Sequence, residues 1–291
     1  MTLEQLRIFI AVAEREHVTD AARALNVTQS AASAAIAALE ERHDVKLFHR
    51  VGRGITLTEA GKLFLDEARG VLARAKAAER VLGELGGLRR GVLRLVASQT
   101  IAAYWLPPRL AAFRAAYPFI TVDLAIGNTE QTAQRMHDGA ADLGIVEGDT
   151  DDPALAQWQI GEDRLLLVQS QPFGGDEIDA AWLKQARWVM REQGSGTRST
   201  LEHVLQALGI DADALDIALT LPSNESVRTA AEAGAGIAAL SSLVVSNAIA
   251  AGTLVALPFD LGLRPFCGLR HKERYRSKAV DALLDLIQRY E

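Results

Sequence analysis

Residues 19–57, TDAARALNVTQSAASAAIAALEERHDVKLFHRVGRGITL, decide how the front of this chain folds. Thr19 stands where it can cap a short helix over residues 20–25. Asn26 and Val27 read as a tight turn, and Thr28 is a good N-cap for a second helix running from Gln29 to about residue 42. On that helix Ala32, Ile36 and Leu39 fall on one face at helical spacing and point inward. Ser30, Ser33, Ala34 and Ala37 point the other way. Residues 46–48 and 55–57 are short extended runs on either side of His49, Arg50, Val51, Gly52, Arg53 and Gly54, the pattern of a β-hairpin with a basic tip. Upstream, Leu6, Phe9, Ile10 and Ala13 give one apolar face to a preceding helix. Three short helices and a hairpin make a winged helix-turn-helix.

That arrangement suits a reader of double-stranded DNA. A helix whose buried face is small stands proud of its domain and enters a major groove. The free amides at its N-terminus, with Thr28, Gln29 and Ser30, meet phosphates or base edges. Glutamine bonds an adenine edge with both amide groups, and serine is less selective. Arg50 and Arg53 on the wing reach backbone phosphate or a minor groove. A plain three-helix packing subdomain would show the same pattern. The charge distribution adds a little: the chain is −6 overall, but residues 1–90 carry +2 and residues 91–291 carry −8.

Residues 3–61 resemble the DNA-binding domain of the LysR family of transcription regulators almost from end to end. The matching text is LEQLRIFIAVAE, TDAARAL, NVTQSAASAAIAALE, VKLFHR and GRGITLTEAG. The resemblance makes the helix from Gln29 the recognition helix and the hairpin the wing, with Gln29, Ser30, Ser33 and Arg53 as DNA contacts. The chain departs from the family in its alanines. Ala34, Ala35, Ala37 and Ala38 occupy positions where family members often carry Arg, Gln or Lys. Readout is then expected to lean on Gln29, the two serines, methyl contacts to thymine (Ala34 among them) and DNA shape. Asp44 replaces a usual glycine, and aspartate tolerates a left-handed turn.

Residues 58–85 contain no proline and suit one long helix. Phe64, Ala68, Val71, Ala75, Ala78, Leu82 and Leu85 alternate spacings of four and three, which is a heptad seam. A partner helix from a second subunit, or the chain's own C-terminal part, would cover it. The resemblance favours a homodimer through this linker helix, with assembly to a homotetramer. Gly86, Gly87 and Gly91 mark the break into the next part.

Beyond residue 91, strand-like and helix-like runs alternate, the signature of α/β architecture. Strands are expected at 92–97, 121–126, 142–146, 164–169, 188–191, 217–221, 237–240 and 266–269. Helices are expected at 106–116, 130–138, 197–208, 223–233 and 278–289. This part resembles the LysR effector domain, which shares its fold with periplasmic binding proteins, through GVLRLVAS, LPPRLAAFRAAYP, GNTEQ, ADLGIVEG, GSGTR and SNESVRTAAEAGAGIAALS. The resemblance implies a DNA-binding domain at 1–58, a linker helix at 59–90 and a two-lobed effector domain at 91–291. Lobe one would be 91–162 with 266–291, and lobe two 163–265. Crossings near 161–164 and 264–266 would form the hinge, with a small molecule bound between the lobes.

In such sheets ligands sit beyond the carboxyl ends of strands. Four polar clusters lie there: Ser98, Gln99 and Thr100; Asn128 and Thr129; Glu147; and Gly194, Ser195, Gly196, Thr197 and Arg198, which open a helix. Asn224 and Glu225 start another helix and are secondary candidates. Exposed amides, hydroxyls and Arg198 suit a carboxylate, phosphate or sulfur oxyanion. Glu147 would instead suit a cationic or hydroxyl-bearing ligand, so the charge of the effector stays open. Turn and cap chemistry alone would also place these residue types there.

Catalytic signatures are absent. GSGTR lacks the GxxxxGK[ST] spacing of a phosphate-binding loop, and no GxSxG, HExxH or paired Cys/His spacing occurs. The single cysteine, Cys267, sits in an apolar strand-like run and reads as a buried thiol. No enzyme activity, cofactor or metal is therefore expected. No run of 18 apolar residues occurs, and residues 8–13 are too short and too closely flanked by charge for a secretory signal, so a cytoplasmic location is expected and a membrane partner is not. A stand-alone solute-binding protein would need such a signal and would have no use for residues 1–90. The expected partners are an inverted-repeat promoter site on double-stranded DNA, a small-molecule effector, a second copy of the chain and, through the promoter, RNA polymerase.

Overall fold

The computed structural model describes residues 1–52, 54–85, 91–148, 150–175 and 177–289. It divides into two compact units, residues 1–82 and 83–291. Arg53, Gly86 and Gly87 lie outside the described residues. Among the described residues no helix is long and apolar enough to cross a membrane.

In the first unit α1 (Leu3–Arg15) opens with a capping box. The Gln5 amide donates to Thr2 Oγ1 at 3.2 Å, and the Thr2 amide donates back to Gln5 Oε1 at 2.9 Å. Glu16, in a left-handed conformation at φ 52°, ends α1 and turns the chain at once into α2 (Val18–Ala24). The helix therefore starts earlier than expected: Thr19 lies inside its first turn, and His17 occupies the cap position without a side-chain cap bond. Asn26, at φ 55°, makes the turn to α3 (Gln29–His43), where Thr28 Oγ1 accepts from the Ala31 amide at 3.2 Å. Asp44 ends α3 at φ 51°, the left-handed conformation its residue type tolerates. The hairpin pairs β1 (Phe48–Val51) with β2 (Gly54–Leu57), with Arg50 opposite Ile55.

The long helix α4 (Glu59–Leu85) leaves the hairpin with Thr58 as its anchor. Thr58 Oγ1 donates to Lys46 O at 2.7 Å and accepts from the Gly61 amide at 2.9 Å. Gly61 is required there, because a Cβ would lie 2.1 Å from Leu47 O. The seam read from the sequence divides in two. Phe64 and Ala68 pack into the unit's own core with Leu6, Phe9, Leu39 and Leu47. The Phe9 ring lies 4.9 Å from Phe64 and 5.4 Å from Phe48. Further along, Val71 is 41% and Leu82 72% exposed, Ala78 is exposed and Ala75 half-buried. The side chain of Leu85 lies outside what is described.

The second unit begins with β3 (Gly91–Ala97), a π-helical turn (Ile101–Trp105), α5 (Leu106–Ala116), β4 (Ile120–Ile126), α6 (Thr129–His137) and β5 (Leu143–Glu147). β6 (Leu155–Gln169) leads into α7 (Ala180–Gln185), β7 (Arg187–Arg191), α8 (Gly196–Ala207), β8 (Asp216–Leu221), α9 (Asn224–Glu232), β9 (Ala238–Ser241) and α10 (Ser242–Ala250). β10 (Val255–His271) and α11 (Lys278–Gln288) close the chain. Six strands form one sheet in the order β4-β3-β5-β10-β6-β9, and β7-β8 form a separate parallel pair.

β6 and β10 are far longer than the runs at 164–169 and 266–269 read from the sequence. They pair antiparallel from Val255 opposite Gln169 to His271 opposite Leu155. Gly161, Pro258, Gly262 and Pro265 lie along these strands, and the ladder absorbs the irregularity as register shifts near residues 256–263 and 266–267. This ribbon contributes to several cores. Phe266 packs with Leu93, Leu95, Phe113 and Leu283. Leu165, Leu257 and Leu261 pack with Trp188 and Leu205, while Val168 joins Val227 and Val245. The unit is thus two α/β lobes joined by a two-stranded ribbon, with helix N-termini facing the division. Cys267 is buried against Val96 and Met136, as its apolar run predicts.

Candidate DNA-contact surface and effector cleft

In α3 the buried positions are Ala32, Ile36 and Leu39, so Thr28, Gln29, Ser30 and Ala34 stay exposed and Ser33 half-buried. The face is pre-arranged by its own hydrogen bonds. Gln29 Nε2 donates to Ser33 Oγ at 2.9 Å, and the Thr28 and Ser30 hydroxyls lie 3.1 Å apart. A base edge that takes the Gln29 amide must compete with Ser33 for it. Ala31, Ala37 and Ala38 are exposed as well, which leaves a shallow apolar surface able to approach a groove closely. Arg50 is exposed on the wing and has no ion pair among the described residues.

Glu40 fixes the wing to α3, a role the sequence reading did not assign. Its Oε1 accepts from the Leu47 amide at 2.8 Å and the Phe48 amide at 3.3 Å, and its Oε2 meets Lys46 Nζ at 2.8 Å. Burial pushes its pKa up, but the Lys46 bond and the two amides outweigh burial and hold the carboxyl below its usual value. The hairpin is also tied to the end of α1, where the Ile55 amide donates to Glu16 O at 3.1 Å.

The second site is the division between the two lobes, and the polar clusters named from the sequence converge on it. Asn224, at the start of α9, donates from Nδ2 to Thr100 Oγ1 at 3.0 Å, and its backbone amide donates to Gln99 Oε1 at 2.9 Å. Gln99 Nε2 donates to Pro222 O at 3.1 Å. At the start of α6, Asn128 Nδ2 donates to Glu192 Oε1 at 3.3 Å, and the Glu130 amide donates to Gly194 O at 3.3 Å. Gly196 comes so close that a Cβ would lie 2.4 Å from Glu147 O and 2.6 Å from Thr129 Oγ1. Tyr104 Oη donates to Glu225 Oε1 at 3.3 Å, and burial, then that carboxylate, raises the phenol's pKa. Each of these contacts joins one lobe to the other, so the cleft is shut.

Two hydroxyls in it keep spare bonding capacity. Ser98 is 4% exposed, and its Oγ has no hydrogen-bond partner among the described residues. Ser195 is 3% exposed at the N-cap of α8 and makes no side-chain cap bond. Both sit among helix N-termini, whose free amides and dipoles favour negative charge.

The buried charges are matched with one another. Arg264 donates from Nε and Nη2 to Asp163 Oδ2 at 3.2 and 2.8 Å and from Nη1 to Thr197 Oγ1 at 3.0 Å. Glu147 Oε1 lies 3.6 Å from the same guanidinium, so its carboxylate is already answered by a cation of the chain. Arg191 forks onto Glu192 at 2.7 and 2.9 Å and reaches Asn224 Oδ1. Burial raises the Glu192 pKa, but the Arg191 bond and charge outweigh it and leave the carboxyl below its usual value. Arg198 differs from the expectation of a ligand donor. Its Nε is bonded to Glu202 at 2.6 Å and its Nη1 to Arg191 O at 3.2 Å, because Glu202 follows one helical turn later. Asp163, Arg191, Glu192 and Arg264 escaped the sequence reading. Their only signal is a charge set beside an apolar strand, as in Trp188-Val189-Met190-Arg191.

A winged helix-turn-helix and a two-lobed α/β unit with a polar cleft define a ligand-responsive regulator of transcription. Residues 3–62 match the model of the bacterial regulatory helix-turn-helix protein, lysR family, and residues 86–291 match the LysR substrate binding domain. The chain belongs to the LysR family of transcription regulators. It is 32% identical over 289 residues to the HTH-type transcriptional regulator YeiE of Escherichia coli K12, covering 98% of this chain and 96% of that one. The full-length regulator CbnR, solved in complex with its target DNA, superposes with a TM-score of 0.68 at 23% identity over 100% of both chains. The CcmR regulatory domain of Synechocystis PCC6803, solved in complex with 2-PG, superposes with a TM-score of 0.63 at 26% identity, covering 69% of this chain and 97% of that domain.

Proposed function

We propose that this regulator binds an inverted-repeat promoter site as a dimer or tetramer, and that a small oxyanion held between the lobes sets its activity. The lobes are taken as residues 91–162 with 266–291 and residues 163–265, joined where Asp163 pairs with Arg264. Thr28, Gln29, Ser30, Ser33 and Ala34 of α3 read the major groove, and Arg50 with Arg53 holds the flanking backbone. The exposed Val71, Ala78 and Leu82 of α4 support a partner helix from a second subunit. A protein that binds a promoter and senses a metabolite works in the cytoplasm, beside RNA polymerase.

One observation carries the effector reading: Ser98 and Ser195 are buried hydroxyls with unused donors in a cleft bounded by three helix N-termini. With Glu147, Asp163 and Glu192 all matched by arginine, the remaining donors of Ser98, Thr100, Ser195 and Thr197, beside Thr129, suit an anion of few atoms. The 2-PG complex of the CcmR regulatory domain supports a small ligand in this kind of domain. An anion that binds only the shut form holds the lobes together along the β6–β10 ribbon, sets the spacing of the paired DNA-binding units, and so changes DNA bending or polymerase contact.

A thermal-shift screen of sulfite, sulfate, phosphate, small carboxylates and amino acids tests the effector half. At least one oxyanion should raise the unfolding midpoint of the full chain, and Thr100→Ala and Ser195→Ala should each reduce that rise while DNA affinity stays near wild type. Unchanged ligand affinity in both variants would mean that the effector does not bind in the cleft.

A further inference from the structure

Ala32, Ile36 and Leu39 are buried and fix which way α3 faces. At about 3.6 residues per turn, Ser30, Ala34 and Ala37 stand on the opposite side, and all three are exposed. Ala34 and Ala37 are neighbours on successive turns, with their methyl groups about 5–6 Å apart. Ala31 and Ala38 flank them and are exposed as well.

Long side chains are missing from this face. α3 carries no lysine or arginine before Arg42, in its last turn. The commonest reading of guanine, a cation on O6 and N7, is therefore closed to residues 29–41. Gln29 is the one long polar side chain before Glu40, and its Nε2 is already bonded to Ser33 Oγ at 2.9 Å. Along Ala34 and Ala37 only two methyl groups separate the backbone of α3 from whatever it approaches. The feature of a base edge that such a surface can distinguish is another methyl group, the one on C5 of thymine. A 5-methylcytosine carries a methyl at the same place on the ring and projects it into the same groove. Unmodified cytosine and uracil do not.

We propose that operator binding by this regulator responds to cytosine C5 methylation, because Ala34 and Ala37 take a 5-methylpyrimidine, thymine or 5-methylcytosine, at one or two neighbouring positions of each half-site. The proposal rests on the insertion of α3 into the major groove. The distance between the two alanine methyls corresponds to one or two base steps of about 3.4 Å. Burial of one methyl group is worth about fourfold in affinity, so two modified cytosines strengthen a half-site roughly tenfold or more. Modification of the DNA then becomes an input to the regulator beside the effector.

Duplexes selected from a random pool by the full chain define the preferred half-site. Fluorescence anisotropy then compares that duplex with copies in which each T·A pair in turn becomes U·A, C·G or 5-methylcytosine·G. At one or two neighbouring positions uracil should weaken binding about fourfold, and 5-methylcytosine should bind about fourfold more tightly than cytosine. This comparison uses the wild-type protein alone. Ala34→Gly and Ala37→Gly should each erase the methyl effect at one of these positions. The effect is a ratio taken within one variant, so a lower folded fraction does not alter it. Sequence-specific binding that is indifferent to the C5 methyl, weaker binding to 5-methylcytosine than to cytosine, or a methyl effect that survives in both variants would each overturn the proposal and leave recognition through α3 standing. A selected pool with no sequence preference would overturn both.

Discussion

Gly196→Ala should hold the cleft open while leaving both lobes and the DNA-binding unit intact. Gly196 is the first residue of α8, in a conformation alanine adopts readily, and alanine favours a helix by roughly 1 kcal/mol over glycine. Local stability should therefore rise slightly or stay level. The new Cβ, however, would stand 2.4 Å from Glu147 O and 2.6 Å from Thr129 Oγ1 across the cleft, where contacts below 3.0 Å essentially never occur. Neither partner yields easily: Glu147 O is strand backbone, and Thr129 Oγ1 already donates to it at 3.2 Å. The lobes must part by roughly an ångström. That movement stretches the Asn224–Thr100 bond at 3.0 Å and the Glu130–Gly194 bond at 3.3 Å past useful geometry. Overpacking of this kind costs roughly 1–3 kcal/mol. If the effector binds only the shut form, that becomes about a 5- to 150-fold loss of effector affinity. Calorimetric titration with the best oxyanion from the thermal-shift screen reads the affinity, and the unfolding midpoint without ligand reads the stability. Wild-type affinity in Gly196→Ala would refute the coupling of closure to binding. A large fall in the ligand-free midpoint would show that the glycine serves folding instead.

Three other perturbations test separate parts. The Glu40 carboxyl has a depressed pKa in the folded chain, so its contribution is complete above the unfolded value and fades as pH falls through the folded one; acid should loosen the wing first, and Glu40→Gln should flatten that acid limb while costing about 1–2 kcal/mol near neutrality, as read by unfolding midpoints across pH. Arg50→Ala should weaken DNA binding on all sequences alike and lower the slope of log affinity against log salt by about one unit, whereas Gln29→Ala should weaken specific sites more than random DNA; fluorescence anisotropy over a salt series distinguishes them. Leu82→Glu, on the exposed part of α4, should shift the chain toward monomer in analytical ultracentrifugation without lowering the cohesion of residues 1–68; an unchanged oligomer would place the interface elsewhere.

Local signals carried most of the winged unit. Thr28, Asn26 and Asp44 are residue types with one strong conformational use each, and each stands where that use predicts. Thr19 misled because serine and threonine favour first turns as well as caps, and the left-handed Glu16 moved the helix start. The heptad spacing was real, but spacing alone does not tell which partner covers a face: Phe64 and Ala68 belong to the unit's own core, Val71 and Leu82 do not.

The cleft followed a similar division. Gly, Ser, Thr and Asn at strand ends were legible because turn and helix-start chemistry is local. Arg264 and Asp163 were not, since their pairing spans about a hundred residues and depends on the register of β6 against β10. That register was hidden by Gly161, Pro258, Gly262 and Pro265, which look like strand breaks and are absorbed as irregularities in a continuous ladder. Arg198 shows what local spacing adds: beside a glycine-rich turn it invites a ligand, and Glu202 one turn along the helix binds its Nε.

Recognition of a DNA sequence through α3 and the wing, and its alteration by the cleft, can be read in one measurement. A footprint of the full-length protein on the promoter region beside its own gene, with and without the oxyanion that stabilises it, tests both at once. The expected result is a protected, salt-sensitive pair of half-sites spaced by whole helical turns, with the protection or bending between them changed by the anion. Protection with no preferred sequence, or a footprint indifferent to every ligand that stabilises the protein, would contradict it.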